Sequence, residues 1–235
     1  RAGINFMDVH MRQGKYRHFL SYPVRLPCTL GMEGAGTVVE TGSGVRRIRA
    51  GDRVAWCIVW GSYAEFACVP ERMVAKLPEG ISFDVAAAML FQGSTAHYLA
   101  HDVGGLAPGS TCLVHAASGS VGRLLVQLAR RLGARVIATA SSEEKRHAVE
   151  RLGADFVIDY EEGRFADRVR EWTDGRGVDV VFDPIGQATL RHSLRAARKK
   201  GLVVNFGSVS GEVTDLRPIE LGEADSELGE DADHG

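Results

Sequence analysis

The chain has 235 residues, 45% of them hydrophobic, enough for a packed core in one or two domains. Its formal net charge of -2 leaves no electrostatic footprint for nucleic acid or an anionic membrane, so neither partner is expected. No run approaches the about 18 apolar residues of a transmembrane helix. No signal peptide is seen, and Cys28, Cys57, Cys68 and Cys112 form no C-x-x-C pair, so a reducing, cytoplasmic setting is expected.

The chain opens on Arg1 rather than Met and reads as a fragment. Residues 1 to about 91 carry short strand-like runs broken by Gly and Pro: Gly36–Glu40, Asp52–Trp56 and Tyr63–Ala67. That is the rhythm of a compact β-barrel-like domain. From about 92 to 211, strands alternate with amphipathic helices, which predicts a parallel sheet. Expected strands are Thr111–His115, Arg135–Thr139, Phe156–Asp159, Val178–Asp183 and Gly201–Phe206. Between the first two, Val121, Leu124, Leu125, Leu128, Ala129 and Leu132 fall on one face of a helix that Gly133 ends. Further helices are expected over 143–152, 163–173 and 187–198. Residues 212–235 form an acidic tail, dense in Asp and Glu from Glu220 onward, and are expected to be disordered.

The sharpest motif follows the first strand of the second region: Ala117-Ser118-Gly119-Ser120-Val121-Gly122. It matches the dinucleotide fingerprint G-x-G-x-x-G with Ala117 in the first glycine's place. Gly119 lets backbone approach a pyrophosphate, and Gly122 lets helix and strand pack closely. The pyrophosphate would sit at the helix N-terminus, where unpaired N–H groups and the dipole favour anions. The cofactor's ribose is read at the end of the second strand, about 20 residues past the loop. Thr139-Ala140-Ser141-Ser142 brings no acid there, which favours NADPH over NADH. Ser141 can donate to a 2′-phosphate, and Lys145 or Arg146 can neutralise it. Ser141 or Ser142 caps the helix that follows.

These residues, with Gly3-Ile4-Asn5-Phe6-Met7-Asp8, Gly31-Met32-Glu33-Gly34, Gly51-Asp52-Arg53-Val54, Asp183-Pro184-Ile185-Gly186 and Asn205-Phe206-Gly207-Ser208, carry a resemblance across most of the chain. The sequence resembles the zinc-independent quinone oxidoreductase, zeta-crystallin-like branch of the medium-chain dehydrogenase/reductase superfamily. The resemblance implies an α/β fold class: a Rossmann-type NADP-binding domain over 92–211, lacking its last strand, joined to a partial GroES-like β-barrel catalytic domain over 1–91. It implies NADPH-dependent reduction of a small-molecule quinone by hydride transfer, and a homodimer for full-length relatives. It places Asn5, Tyr16 and Thr95 at the nicotinamide and substrate, and Ser141, Lys145 and Tyr160 at the 2′-phosphate. Phe206, Gly207 and Ser208 would cover the nicotinamide. His10 and Gln92 depart from residues common in relatives.

Zinc relatives carry Gly-His-Glu where this chain has Gly31-Met32-Glu33, and a neutral thioether is a poor Zn²⁺ ligand, so no metal is expected. Asp8 and Glu33 read either as structural acids beside Arg12 or Arg53, or as catalytic ones. His101, His147 and His192 read as surface residues. Two alternatives stay open: an enone or alkenal reductase on the same scaffold, and a truncated, inactive or non-enzymatic product.

Overall fold

The computed structural model describes residues 1–15, 24–159 and 164–221. Tyr16, Tyr160 and the tail beyond Leu221 lie outside the described residues. The chain forms two compact units, Arg1–Ser94 and Thr95–Gly235. Among the described residues no helix is long and apolar enough to cross a membrane.

The first unit opens with helix α1 (Phe6–Arg12), started by Asn5, whose backbone N–H is taken by the Asp8 carboxylate at 2.9 Å. Strands β1 (Glu33–Thr37), β2 (Arg53–Cys57) and β3 (Val74–Lys76) form an antiparallel sheet in that order. Ala35 faces Ala55 across the ladder, and both are buried with Ala86 and Ala87. Gly34 is required there: a Cβ would lie 2.5 Å from the Trp56 ring.

The expected strand at Tyr63–Ala67 does not form. Tyr63 N–H donates to Leu30 C=O at 3.0 Å, but no ladder follows, and Tyr63 and Phe66 are exposed. The third strand comes from Val74–Lys76 instead, paired with β2. A cavity of about 620 Å³ in this unit is lined by Val38, Ile48, Val54, Trp56, Phe66 and Val74 among others. Its lining includes none of the predicted site residues.

Helix α2 (Phe83–Tyr98) runs into a wider turn over Leu99–Val103 with i→i+5 bonding. Neither was expected. The second unit then alternates β4 (Thr111–Val114), α3 (Ser120–Arg131), β5 (Arg135–Ala140), α4 (Glu143–Arg151), β6 (Phe156–Asp159), α5 (Phe165–Trp172), β7 (Val178–Asp183), α6 (Leu190–Ala196) and β8 (Ala197–Asn205). The strands are parallel in the order β6-β5-β4-β7-β8. Strands this apolar are covered on both faces. On one face Leu125, Val126 and Ala129 of α3 and Val149 of α4 pack on Cys112, Val114, Val136 and Phe182. On the other, Phe165 and Val169 of α5 and Ala196 of α6 pack on Leu113, Ile137 and Val181.

Two boundaries differ from expectation. The helix expected over 187–198 stops at Ala196, and Ala197 already pairs with Val178. The pairing then skips to Val180↔Leu202, an irregularity in which Lys200 takes φ 58° and Arg198 Nε reaches Asp179 at 2.6 Å. Arg170 of α5 fastens this region, donating to the carbonyls of Gly175, Arg195 and Ala197 at 2.6 to 3.0 Å. The stretch expected to be disordered from residue 212 is described as far as Leu221 and makes contacts there. Asp215 accepts from Gln187, and Arg191 pairs with Asp215 and Glu220, so opposite charges hold this stretch against α6.

Candidate functional site

The strand order reverses at β4, which has β5 on one side and β7 on the other. The crevice beyond the carboxyl ends of β4 and β7 is therefore the topological switch point, where ligands bind in open α/β sheets. The Ala117–Gly122 loop lies there. His115 N–H donates to Phe182 C=O, and Ala117 N–H to Thr139 C=O, each at 3.0 Å, tying the loop's root to both neighbouring strands. The left-handed residue is Ala116, at φ 48°, not Ala117, which is fully buried. Gly119 caps α3 with φ −73°, and the first helical bond runs from Arg123 N–H to its carbonyl. The amides of Ser120, Val121 and Gly122 thus belong to the turn that has no intrahelical acceptor. Gly119 and Ser120 are exposed. A Cβ on Gly122 would lie 2.5 Å from Ala116 O and 2.7 Å from Ala117 Cα, so only glycine lets α3 begin this close to the loop. Arg123 closes the turn from behind by donating to Ser118 C=O at 2.8 Å.

Under the loop lies a buried polar chain absent from the sequence reading. Ser193 Oγ donates to Asp183 Oδ2 at 2.8 Å, and His115 Nε2 stands 3.1 Å from the same Oγ. Ser193 has one proton, so His115 Nε2–H donates to it, and Thr139 donates to Nδ1 at 3.0 Å. Desolvation pushes His115 down to about 4, against the field of Asp183, and it is neutral near neutrality. Asp183 Oδ1 also accepts from Thr189 and from the amides of Ile185 and Gly186, which fixes the loop after β7. Phe206, Gly207 and Ser208 follow β8 beside it. Phe206 N–H donates to Asp183 C=O at 3.0 Å, and a Cβ on Gly207 would meet Pro184 O at 2.5 Å.

At the ends of β5 and β6, Ser142 caps α4 by accepting from Lys145 N–H at 3.4 Å. Ser141 is left exposed, with Lys145 Nζ 3.1 Å from its Oγ. Arg146 pairs with Asp159.

The first unit holds a second buried polar cluster, around Asn5. Asn5 Nδ2 donates to Glu33 Oε2 at 3.0 Å, and Gln92 Nε2 donates to Asn5 Oδ1 at 2.6 Å. The other Glu33 oxygen accepts from Phe91 N–H at 2.7 Å. Burial raises the Glu33 carboxyl above its usual range, with the bonds from Asn5 and Phe91 opposing. Asp8 accepts from the Tyr63 hydroxyl at 2.9 Å, and desolvation together with that bond pushes the Tyr63 phenol up to about 12. Arg53 partners neither acid: it donates to Ile81 C=O and lies over the Phe83 ring. Asp8 Oδ1, Ser62 Oγ and Gln92 Oε1 are buried and have no hydrogen-bond partner. Thr95, the first residue of the second unit, follows Gln92 by one turn on α2 and is half-buried. Met32 is fully buried, and among the described residues no three His, Cys, Asp or Glu side chains gather as an ion-binding group.

Fold and loop define a dinucleotide-binding α/β protein with an antiparallel companion unit. Residues 1–79 match the alcohol dehydrogenase GroES-like domain family, and residues 120–225 the zinc-binding dehydrogenase family. A quinone oxidoreductase of Pseudomonas aeruginosa is 42% identical over 90% of this chain and 64% of its own length. A 2-haloacrylate reductase of a Burkholderia species is 38% identical over 93% of this chain and 66% of its own. The Escherichia coli quinone oxidoreductase solved with NADPH superposes with a TM-score of 0.90 at 38% identity, covering 96% of this chain and 68% of that one. The chain belongs to the quinone oxidoreductase branch of the medium-chain dehydrogenase/reductase superfamily. It spans about two thirds of the length of the curated relatives it matches.

Proposed function

We propose that this chain is the dinucleotide-binding and partial catalytic portion of an NADPH-dependent reductase that passes hydride to a quinone without a metal. The single observation that carries the reading is the Gly119–Gly122 turn, which admits no Cβ at Gly122 and presents its first amides at the switch point. NADPH bound there would supply the hydride. The amides of Ser120, Val121 and Gly122 would hold its pyrophosphate, with Ala117 and Ser118 shaping the turn. Lys145 and Ser141 would read the 2′-phosphate, joined by Tyr160. Phe206, Gly207 and Ser208 would cover the nicotinamide, and Asn5, Tyr16 and Thr95 would orient the substrate. Asn5 suits that task because Glu33 and Gln92 fix its amide in one orientation. Positioning is the main demand, since a quinone accepts hydride readily and water can supply the proton that completes the hydroquinone. The whole enzyme is read as a cytoplasmic homodimer.

The 2-haloacrylate reductase relative favours a second substrate class, an activated alkene. Fluorescence titration with NADPH and NADH, followed by turnover of a quinone and a 2-haloacrylate, tests both. NADPH binding with quinone turnover supports the first reading, and turnover of the alkene alone supports the second. Failure to bind either dinucleotide overturns both.

A further inference from the structure

The end of helix α2 holds a pair of side chains that the hydride chemistry leaves unused. His97 lies in its last turn, and His101 follows four residues on, within the wider turn over Leu99–Val103. Residues four apart on a helix are surface neighbours. Here the two imidazole rings stand 4.3 Å apart, centre to centre, with their planes tilted by 30°. Leu99 and Ala100, between them, are buried, whereas both histidines are exposed. Among the described residues neither ring hydrogen bonds or pairs with an acid. That sets them apart from His115, held by Thr139 and Ser193, and from His147, placed between Glu143 and Glu150.

Two neutral imidazoles side by side, with ring nitrogens to spare, can chelate a divalent ion that favours nitrogen. Metal–nitrogen bonds of about 2.0–2.1 Å put the centres of two rings, held at a right angle on one ion, roughly 4.5 Å apart. The 4.3 Å found here needs only a small rotation of two exposed side chains to meet that. The helical run ends at Val103, so His101 lies in its last turn, where carbonyls without an intrahelical partner favour a cation. We propose that His97 and His101 form a site for a divalent transition-metal ion of the imidazole-preferring kind, Cu²⁺, Ni²⁺ or Zn²⁺, which clips the last turn of α2 to the wider turn after it. Mg²⁺ and Ca²⁺, which take oxygen ligands, do not suit it. No third His, Cys, Asp or Glu gathers with the pair among the described residues, so water completes the coordination and the ion exchanges. The hydride step proposed above does not call on this ion, and the inference stands apart from the NADPH reading.

The test is calorimetric titration of the untagged chain with ZnCl₂, CuCl₂ and MgCl₂, repeated on His97→Gln, His101→Gln, the double variant and His147→Gln, with a melting curve for each. The parent is expected to bind one Zn²⁺, to bind Cu²⁺ more tightly and to ignore Mg²⁺. Losing one ligand should cost at least the about tenfold in affinity that losing a ligand's hydrogen-bond partner costs, so each single variant weakens Zn²⁺ that much and the double variant abolishes it. His147→Gln, at an exposed histidine elsewhere, leaves the affinity unchanged. The Cu²⁺ complex of the parent should show coupling to two nitrogens by electron paramagnetic resonance, and that of either single variant to one. Zn²⁺ should raise the melting temperature of the parent and not of the double variant. The inference is overturned if the parent binds neither Zn²⁺ nor Cu²⁺ more tightly than about 1 mM. It is overturned as well if the double variant binds as the parent does, or if His147→Gln loses as much as His97→Gln, since the ion then sits elsewhere. Should one single variant fail to fold, the other decides, because both rings are required.

Discussion

At the residue scale, three positions have consequences that can be measured. Gly122 has backbone atoms within 2.7 Å of any Cβ, and neither atom belongs to a flexible side chain. Gly122→Ala must displace the loop from α3. It is expected to cost about 2 kcal/mol or more of stability and most of the dinucleotide affinity. Denaturant unfolding and an NADPH titration read the two losses separately. His115 gives a pH signature. Its folded value of about 4 lies below the roughly 6.5 of an unfolded chain. Between those values the unfolded state takes up a proton and the folded state does not. The contribution is complete above about 6.5 and is lost as pH falls toward 4, up to about 3 kcal/mol. Unfolding measured from pH 7 to 4 should show that slope, and His115→Gln should flatten it. Tyr63 is the third. Its phenol, exposed yet donating to Asp8, should ionise near 12, later than an ordinary tyrosine, and Tyr63→Phe should remove that last step from an ultraviolet titration.

At the scale of elements, legibility followed burial. Phe156–Asp159 and Val178–Asp183 form as read because parallel strands covered on both faces are nearly unbroken apolar runs. The Gly119–Gly122 turn was legible because its signature is local. Helix α2 was not, since Phe83–Tyr98 is rich in small residues and presents no clear apolar stripe. Tyr63–Ala67 has strand-like alternation, but alternation cannot reveal whether a ladder partner is in reach. The Asn5 cluster was invisible for a related reason. Glu33 lies 28 residues from Asn5 and Gln92 lies 87 away, so only folding joins them. Helix α3 offers a packing test: Leu125 is fully buried against the sheet. Leu125→Ala should lower unfolding free energy by about 2–5 kcal/mol.

At the scale of the whole molecule, the two units give separate readouts. The loop, the His115 chain and the Ser141–Lys145 corner all belong to the second unit, and the Asn5 cluster to the first. NADPH at about 100 times its dissociation constant should stabilise the unit that binds it by about 2.7 kcal/mol. Limited proteolysis with and without NADPH should therefore protect sites beyond Thr95.

The place of β4 at the centre of the sheet also sets an order of events during synthesis. Its neighbour β5 is made directly after it, whereas β7 on its other side follows only after β6 and α5. A growing chain on the ribosome can thus complete one flank of β4 while the other waits, and Cys112 and Val114 meet Val180 and Phe182 late. The same strand boundary that opens the crevice for a ligand in the finished fold is, in the nascent chain, a seam that closes only after β5 and β6 are in place.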